Sequence, residues 1–152
     1  MIWLNPNDDK SQEYVELRLN APKTEKICLE FNPLKMSCSP DWNPIWKERR
    51  RHTSPLRIYK QDYELLLGYF DKIYPVKDAF DRTLELAFDV CFYNWIGKSD
   101  WFRIIDEIER DLNRVHNGKK ALLTDFLAWV KKALEHTPII VVEGQFIKIH
   151  LF

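Results

Sequence analysis

Hydrophobic and charged residues alternate along two segments near the N-terminus, residues 15–19 and residues 27–31. A period of two is typical of a strand with one buried face and one exposed face. Residues 20–23, which include a proline, separate the two segments, so we expect the two strands to form one hairpin. The short run over residues 56–60 predicts a third strand.

The middle of the chain has the three- and four-residue apolar spacing of amphipathic helices. A first helix must end before Pro75, because a proline disfavours the α region for the residue that precedes it. A second helix is predicted from Pro75 to Gly97. Its apolar stripe consists of Phe80, Leu84, Phe88, Cys91 and Trp95. A third helix, capped by Ser99, is predicted to extend to Val115, and a fourth carries its apolar face over residues 122–134.

The C-terminal segment returns to a β pattern. Residues 138–142 form a β-branched run typical of a strand buried on both faces, and residues 147–151 alternate. Residues 143–145 are the predicted hairpin turn between them. The sequence therefore predicts an α+β fold in which the N- and C-terminal hairpins share a mostly antiparallel sheet, packed against a layer of about four central helices.

Residues 32–55 interrupt this pattern with four prolines and no periodicity. Long irregular connections are usually mobile or functional, so this stretch is a candidate contact surface. Its tryptophans, Trp42 and Trp46, precede a basic run over residues 47–52. Because 152 residues match the size of one domain, we predict a single α+β domain over residues 1–152 that contains this connection.

Composition excludes several classes of protein. The chain is 45% hydrophobic and contains 9 Phe, 6 Tyr and 6 Trp, so it has enough apolar surface for a folded core. No apolar run approaches the roughly 20 residues that span a bilayer, and the first residues lack the pattern of a signal peptide. The three cysteines are odd in number and favour reduced thiols. We therefore expect a cytoplasmic protein without a membrane partner.

Sequence motifs for catalysis or cofactor binding are absent. The four histidines are widely spaced, with no His-x-x-x-His or Glu-x-x-His pair, so no metal site is predicted. The four glycines are isolated, which excludes the glycine-rich loops that cradle phosphates. Cys91 lies on the apolar stripe of the predicted second helix and is expected to be a buried hydrophobic residue. The sequence thus predicts no catalytic residue and no cofactor.

Charge is balanced over the whole chain, with 23 Lys+Arg and 23 Asp+Glu, but the predicted helical middle is acidic. Asp81, Glu85 and Asp89 would share one face of the second helix at four-residue spacing, and Glu107 and Asp111 would lie on the third. These five acids are either a solvated helix face or a surface that attracts a basic partner. The basic run over residues 47–52 is short and contains Glu48, so dedicated nucleic-acid binding is not predicted.

One tryptophan of the last helix is a further candidate. Trp129 lies on the side away from the predicted Leu/Phe stripe, together with Asp125 and Lys132. Exposed tryptophans are enriched among the residues that contribute most to binding at protein interfaces. Most of the six tryptophans are expected to belong to the core. If one is exposed and contacts a partner, the candidates are Trp129 and, in the irregular connection, Trp42.

Two segments resemble those of small bacterial immunity proteins, which protect against contact-dependent and other polymorphic toxins. They are residues 94–101, Asn-Trp-Ile-Gly-Lys-Ser-Asp-Trp, with the amphipathic helix that follows, and residues 139–144, Ile-Ile-Val-Val-Glu-Gly. The resemblance implies a cytoplasmic, non-enzymatic protein that binds and blocks the toxic domain of its cognate effector. No family binding residue is carried over, because no single position matches a diagnostic motif.

Two alternatives stay open from the sequence. The chain could be a small hydrolase or nuclease whose carboxylates meet only in the folded structure. It could also be an oligomeric interaction module that associates through an exposed edge of a terminal hairpin. The immunity hypothesis differs from both in predicting one tight, basic protein partner.

Overall fold

A computed structural model describes residues 14–34 and 53–147 of the chain. Ten elements lie in these two ranges. They are β1 (Val15–Leu17), β2 (Ile27–Pro33), β3 (Leu56–Tyr59), α1 (Lys60–Ile73), β4 (Val76–Lys77), β5 (Leu84–Glu85), β6 (Tyr93–Gly97), α2 (Lys98–Asp111), α3 (Asn117–Leu134) and β7 (Ile139–Phe146). The α+β class is confirmed. Residues 35–52 of the predicted irregular connection lie outside the described residues, whereas Asn32 and Pro33 belong to β2.

The main sheet has five strands in the order β1-β3-β2-β7-β6. It is mixed, because β1 pairs with β3 in parallel while the other three pairs are antiparallel. The predicted N-terminal hairpin is wrong, since β3 lies between β1 and β2. The carboxylate of Asp62 in α1 accepts hydrogen bonds from the backbone N–H groups of Leu19 (2.7 Å) and Asn20 (2.7 Å). These bonds hold the chain after β1 against α1 and away from β2.

Strand β7 is continuous from Ile139 to Phe146, so the predicted turn at residues 143–145 is wrong. Over its length β7 pairs with β2 on one side and β6 on the other. The second arm of that predicted hairpin lies mostly in residues 148–152, outside the described residues. A single glycine inside a strand marks a close backbone approach as often as a turn, and Gly144 is such a case.

Three helices pack on one face of the sheet, where the sequence predicts about four. Strands and helices meet at Phe31 of β2, whose ring lies 6.2 Å from Phe70 of α1, 6.3 Å from Trp101 of α2 and 5.2 Å from Phe126 of α3. The predicted apolar stripes of α1, α2 and α3 are largely buried in the structure. The predicted end of α2 at Val115 is wrong, because the helix ends at Asp111 and α3 already begins at Asn117. Ser99 does not cap α2, because the helix begins at Lys98, one residue before it.

The helix predicted from Pro75 to Gly97 is wrong. This segment contains the small β4–β5 hairpin and then β6. Asp78 Oδ1 accepts hydrogen bonds from the backbone N–H groups of Phe80 (2.7 Å) and Asp81 (3.2 Å), which forms a turn at the hairpin. Side-chain bonds of this kind satisfy backbone groups locally and compete with helix formation.

The sheet face opposite the helices carries a transverse row of polar residues. In the register of the sheet, one residue of each strand lies beside one residue of the next strand. From β1 to β6 these residues are Glu16, Arg57, Glu30, Glu143 and Tyr93. Glu30 is fully buried, and its Oε2 accepts a hydrogen bond from Arg57 Nε at 2.9 Å. The negative charge of Glu143 raises the pKa of Tyr93, and burial raises it further. The row therefore joins the buried centre of the sheet to its β6 edge.

Candidate functional site

The predicted acidic face is divided between two parts of the structure. Asp81, Glu85 and Asp89 lie in the β4–β5 hairpin and the loop after it, and they do not share a helix face. Glu107 and Asp111 lie on α2, as predicted. The hypothesis of one continuous helical surface is therefore wrong, and the two groups must be judged separately.

The two acids of α2 have partners within the chain. Glu107 forms ion pairs with Lys72 of α1 (3.6 Å) and Arg110 (3.1 Å). Burial and, to a smaller extent, a hydrogen bond to Asp111 raise the pKa of Tyr69 to about 12. These contacts join α2 to α1 and to itself, so both acids have a structural role in the described part of the chain.

Trp129 is buried, with 8% of its surface exposed, and its predicted exposure is wrong. Its Nε1 donates a hydrogen bond to the carbonyl oxygen of Ser54 at 2.9 Å, and its ring lies 6.2 Å from that of Phe31. The segment before β3 packs against this side of α3, a contact that helical periodicity alone does not show. Trp42 lies outside the described residues.

The acids of the hairpin lack ionic partners. In the described ranges, 14–34 and 53–147, none of Asp78, Asp81, Glu85 and Asp89 forms an ion pair. The Thr83 hydroxyl donates to Asp81 and lowers the pKa of that carboxyl. Burial raises the pKa of Asp78, although two backbone hydrogen bonds oppose the effect. Residues 76–95 also contain two basic residues, Lys77 and Arg82, so four acids outnumber two cations and none of the six forms an ion pair with the described residues.

The same region exposes several large hydrophobic side chains. Five of them, between 43% and 75% exposed, occur within residues 80–93. They are Phe80, Leu84, Leu86, Phe92 and Tyr93. Sequence analysis missed this feature because the assumed helix placed Phe80 and Leu84 on a buried stripe. We call residues 76–95 the hairpin surface. Concentrated exposed apolar side chains with a polar rim mark interaction sites.

A pocket of about 210 Å³ opens at the hairpin surface. Three acidic and four aromatic residues are among those that line it: Asp78, Glu85, Asp89, Tyr74, Phe92, Tyr93 and Trp95. The predicted site residues Glu85 and Asp89 thus meet in one pocket, and Asp81 lies in the adjoining turn. Asp78, which the sequence analysis did not select, is the most buried acid of the group.

The pocket walls are fixed to the main sheet by side-chain hydrogen bonds. Asn94 of β6 is buried, and its Nδ2 donates to the carbonyl oxygens of Asp89 (2.7 Å) and Val142 (3.0 Å). On the hairpin side, the rings of Phe80 and Trp95 stack at 4.9 Å. The pocket is therefore largely formed before any partner binds.

Because Gly144 has no side chain, the loop at Val90 can pack closely against β7. A Cβ atom at this position would overlap the carbonyl oxygen of Val90. We expect Gly144→Ala to lower the free energy of unfolding by about 1–3 kcal/mol, because the backbone around Val90 must move. Urea unfolding measures this change.

A glycine-to-alanine control is available on α1. Nothing lies within 4 Å of a Cβ built on Gly68, so Gly68→Ala should be neutral or stabilising, as alanine favours a helix over glycine by about 0.5–1 kcal/mol. Equal stability of the two variants would contradict the close packing of Val90 on Gly144.

The described residues give little support for a metal site, a cysteine nucleophile or a membrane-spanning helix. Within them, no group of three or more His, Cys, Asp or Glu side chains is arranged to hold a metal ion. Burial raises the pKa of Cys28 to about 12, which does not suit a nucleophile. Cys91 is exposed, so its predicted burial is wrong. None of the helices in the described ranges is both long enough and apolar enough to span a bilayer.

Comparison with protein-family models, curated proteins and solved structures finds no match to this chain.

Proposed function

We propose that this is a non-enzymatic binding protein of immunity type, which binds and neutralises a cognate bacterial toxin domain of basic character through its hairpin surface. The observation that supports the proposal is that residues 76–95 combine exposed apolar side chains with an excess of acids, four against two basic residues, that form no ion pair with the described residues. The resemblance of residues 94–101 and 139–144 to immunity proteins agrees with it. We further propose that the protein acts in the cytoplasm, where such toxins meet their inhibitors.

Apolar and charged groups have different roles in this proposal. Burying a Leu or Phe side chain that is exposed in the free protein contributes about 1.5–3 kcal/mol, so Leu84, Leu86 and Phe92 can supply affinity. Acidic side chains attract a basic partner during encounter and disfavour acidic competitors. Together they form the apolar centre and charged rim that protein interfaces commonly have.

The charge of the hairpin surface argues against self-association. In a two-fold symmetric dimer the same patch meets itself, so four acids and two basic residues of each copy would be brought against an equal set with the same excess of negative charge. Like charges at an interface cost several kcal/mol. A basic partner is therefore favoured over a second copy of this chain.

The test begins with a partner identified by co-expression of the chain with its genomic neighbours. Affinity for that partner is then measured by calorimetry for the wild type and for Asp81→Lys/Glu85→Lys. We expect the double variant to bind at least about 30-fold more weakly, since it reverses charge at two exposed positions of the interface. Leu86→Ser should weaken binding independently of charge.

A matched control lies on α2. Asp106 is exposed and forms no ion pair with the described residues, so Asp106→Lys changes the net charge without touching the hairpin surface. We expect its affinity to stay within about twofold of the wild type at moderate salt. The proposal fails if the control and the double variant lose the same affinity.

A second candidate, a small hydrolase or nuclease, is favoured by the presence of three acidic residues among those that line one pocket. Against it, the pocket lining contains no His, Lys, Ser or Cys side chain. Turnover of an ester, peptide or nucleic-acid substrate that Glu85→Gln abolishes would favour this candidate over the binding protein.

A further inference from the structure

We propose that the pocket of the hairpin surface receives a single basic side chain of the partner, with arginine favoured over lysine. This inference rests on the proposed function and specifies which group of the partner enters the site. Size, charge and aromatic lining each support it.

The size of the pocket suits one side chain. Pockets for drug-sized ligands have volumes of about 300–1,000 Å³. The present pocket measures about 210 Å³ and is open to solvent beside Phe92 and Tyr93, which are exposed. A residue that projects from a partner could enter it while the backbone of the partner stays on the exposed apolar rim.

Charge indicates that the group is cationic. Three acidic residues and no basic residue line the pocket, and none of the three forms an ion pair with a described residue. Asp78 is the strongest indication, because only 7% of its surface is exposed. Its Oδ1 accepts two backbone hydrogen bonds, and its carboxyl group also lies within hydrogen-bonding reach of the Asp81 carboxyl. Two acids held this close together, one of them nearly buried, are complementary to an N–H donor that carries positive charge.

The aromatic lining favours a guanidinium over an ammonium group. Tyr74, Phe92, Tyr93 and Trp95 provide ring surfaces beside the three carboxylates. The planar guanidinium of arginine stacks on aromatic rings and donates up to five hydrogen bonds, and it is less strongly hydrated than the ammonium of lysine. Stacking on Phe80 holds Trp95 in place, so one ring surface is already oriented.

A first experiment requires no partner. The full chain is titrated with N-acetyl-arginine amide, N-acetyl-lysine amide and the neutral N-acetyl-citrulline amide, and backbone amides are followed by NMR. We expect the arginine compound to shift the Phe80 and Asp81 amides, which donate to Asp78, with weaker shifts for lysine and none for citrulline. Equal shifts for citrulline, or no shift for any compound, would overturn the cationic assignment.

A second experiment uses the partner and separates the pocket from the rest of the surface. Glu85→Gln removes charge inside the pocket while keeping the shape of the side chain, and Asp78→Asn is a second pocket variant. Leu86→Ser alters an exposed residue that does not line the pocket. We expect both pocket variants to bind about 30-fold more weakly, and replacement of one partner arginine by glutamine to remove that difference.

The outcomes distinguish the two proposals. If Leu86→Ser weakens binding and neither pocket variant does, the pocket assignment is wrong and the proposed function stands. If none of the three variants weakens binding, both are wrong. If the pocket variants lose affinity but no single partner arginine or lysine is coupled to them, the assignment to one basic side chain is wrong.

Discussion

Replacing Arg57 with leucine is expected to lower the free energy of unfolding by about 3–5 kcal/mol, because it leaves a buried carboxylate without its counter-charge. Glu30 is fully buried at the centre of the sheet, and Arg57 is its ion-pair partner at 2.9 Å. Glu143 lies directly opposite Glu30 on β7, which adds a second negative group. The Arg57 guanidinium also lies over the ring of Tyr14 at 3.6 Å, a contact that leucine loses.

Urea unfolding of wild type and variants measures this effect. Arg110→Leu is the matched control, since Arg110 pairs with Glu107 on the exposed surface of α2. Exposed pairs of this kind contribute about 0.2–1 kcal/mol. Glu30→Met/Arg57→Met should recover most of the lost stability by removing both charges. An effect of Arg57→Leu no larger than that of Arg110→Leu would show that Glu30 finds another compensating group.

Trp129→Ala is expected to destabilise the protein by about 3–5 kcal/mol, the usual cost of truncating a large aromatic side chain in a core. Trp129 is buried between α3 and the segment before β3, where its Nε1 bonds to Ser54. Trp129→Phe should cost less, because it keeps most of the apolar contact with Phe31 and loses the hydrogen bond. Thermal unfolding followed by circular dichroism measures both changes.

The same variants distinguish a core residue from an interface residue. Trp129→Phe should bind the partner with unchanged affinity under conditions where it is folded, since Trp129 is not part of the hairpin surface. A near-wild-type stability together with a large loss of binding would restore the original expectation that Trp129 contacts a partner.

Local patterns predicted α1, α2 and α3, but they also predicted a helix that does not form, and they predicted the strand pairing poorly. The apolar spacing of α1, α2 and α3 is sustained over 14 to 18 residues and faces one layer of strands, so sequence and packing agree. Pairing depends on contacts between residues far apart in the chain, as in β1 with β3. The three hydrogen bonds from residues 19–21 to Asp62 that determine this arrangement have no local signature.

The segment from Pro75 to Gly97 shows how periodicity can mislead. Its apolar residues are spaced as in a helix, yet Phe88 is buried while Phe80 and Leu84 are exposed. Asp78 and Asn94 hydrogen-bond to the backbone and stabilise turns in place of helical bonds. An Asp before a Phe-Asp-Arg-Thr turn and an Asn in a strand are signals that a search for side-chain turns could have used.

The candidate site was predictable in its charge and not in its shape. Asp81, Glu85 and Asp89 were selected for their acidity and do lie on the hairpin surface, but for a different structural reason. Glu107 was also selected for its acidity, but it forms ion pairs within the chain. Trp129 was selected as an exposed tryptophan, and it is buried. The acids of the hairpin surface differ from Glu107 and Trp129 in the contacts that each side chain makes in the folded protein. Residue spacing along the chain does not show these contacts.

Hydrogen–deuterium exchange of the free and the partner-bound protein shows whether residues 76–95 form the binding surface. We expect slowed exchange in the β4–β5 hairpin and the loop after it on binding, with little change in peptides from α2 and α3. Protection confined to α2 and α3, or to the β1 edge of the sheet, would contradict this expectation.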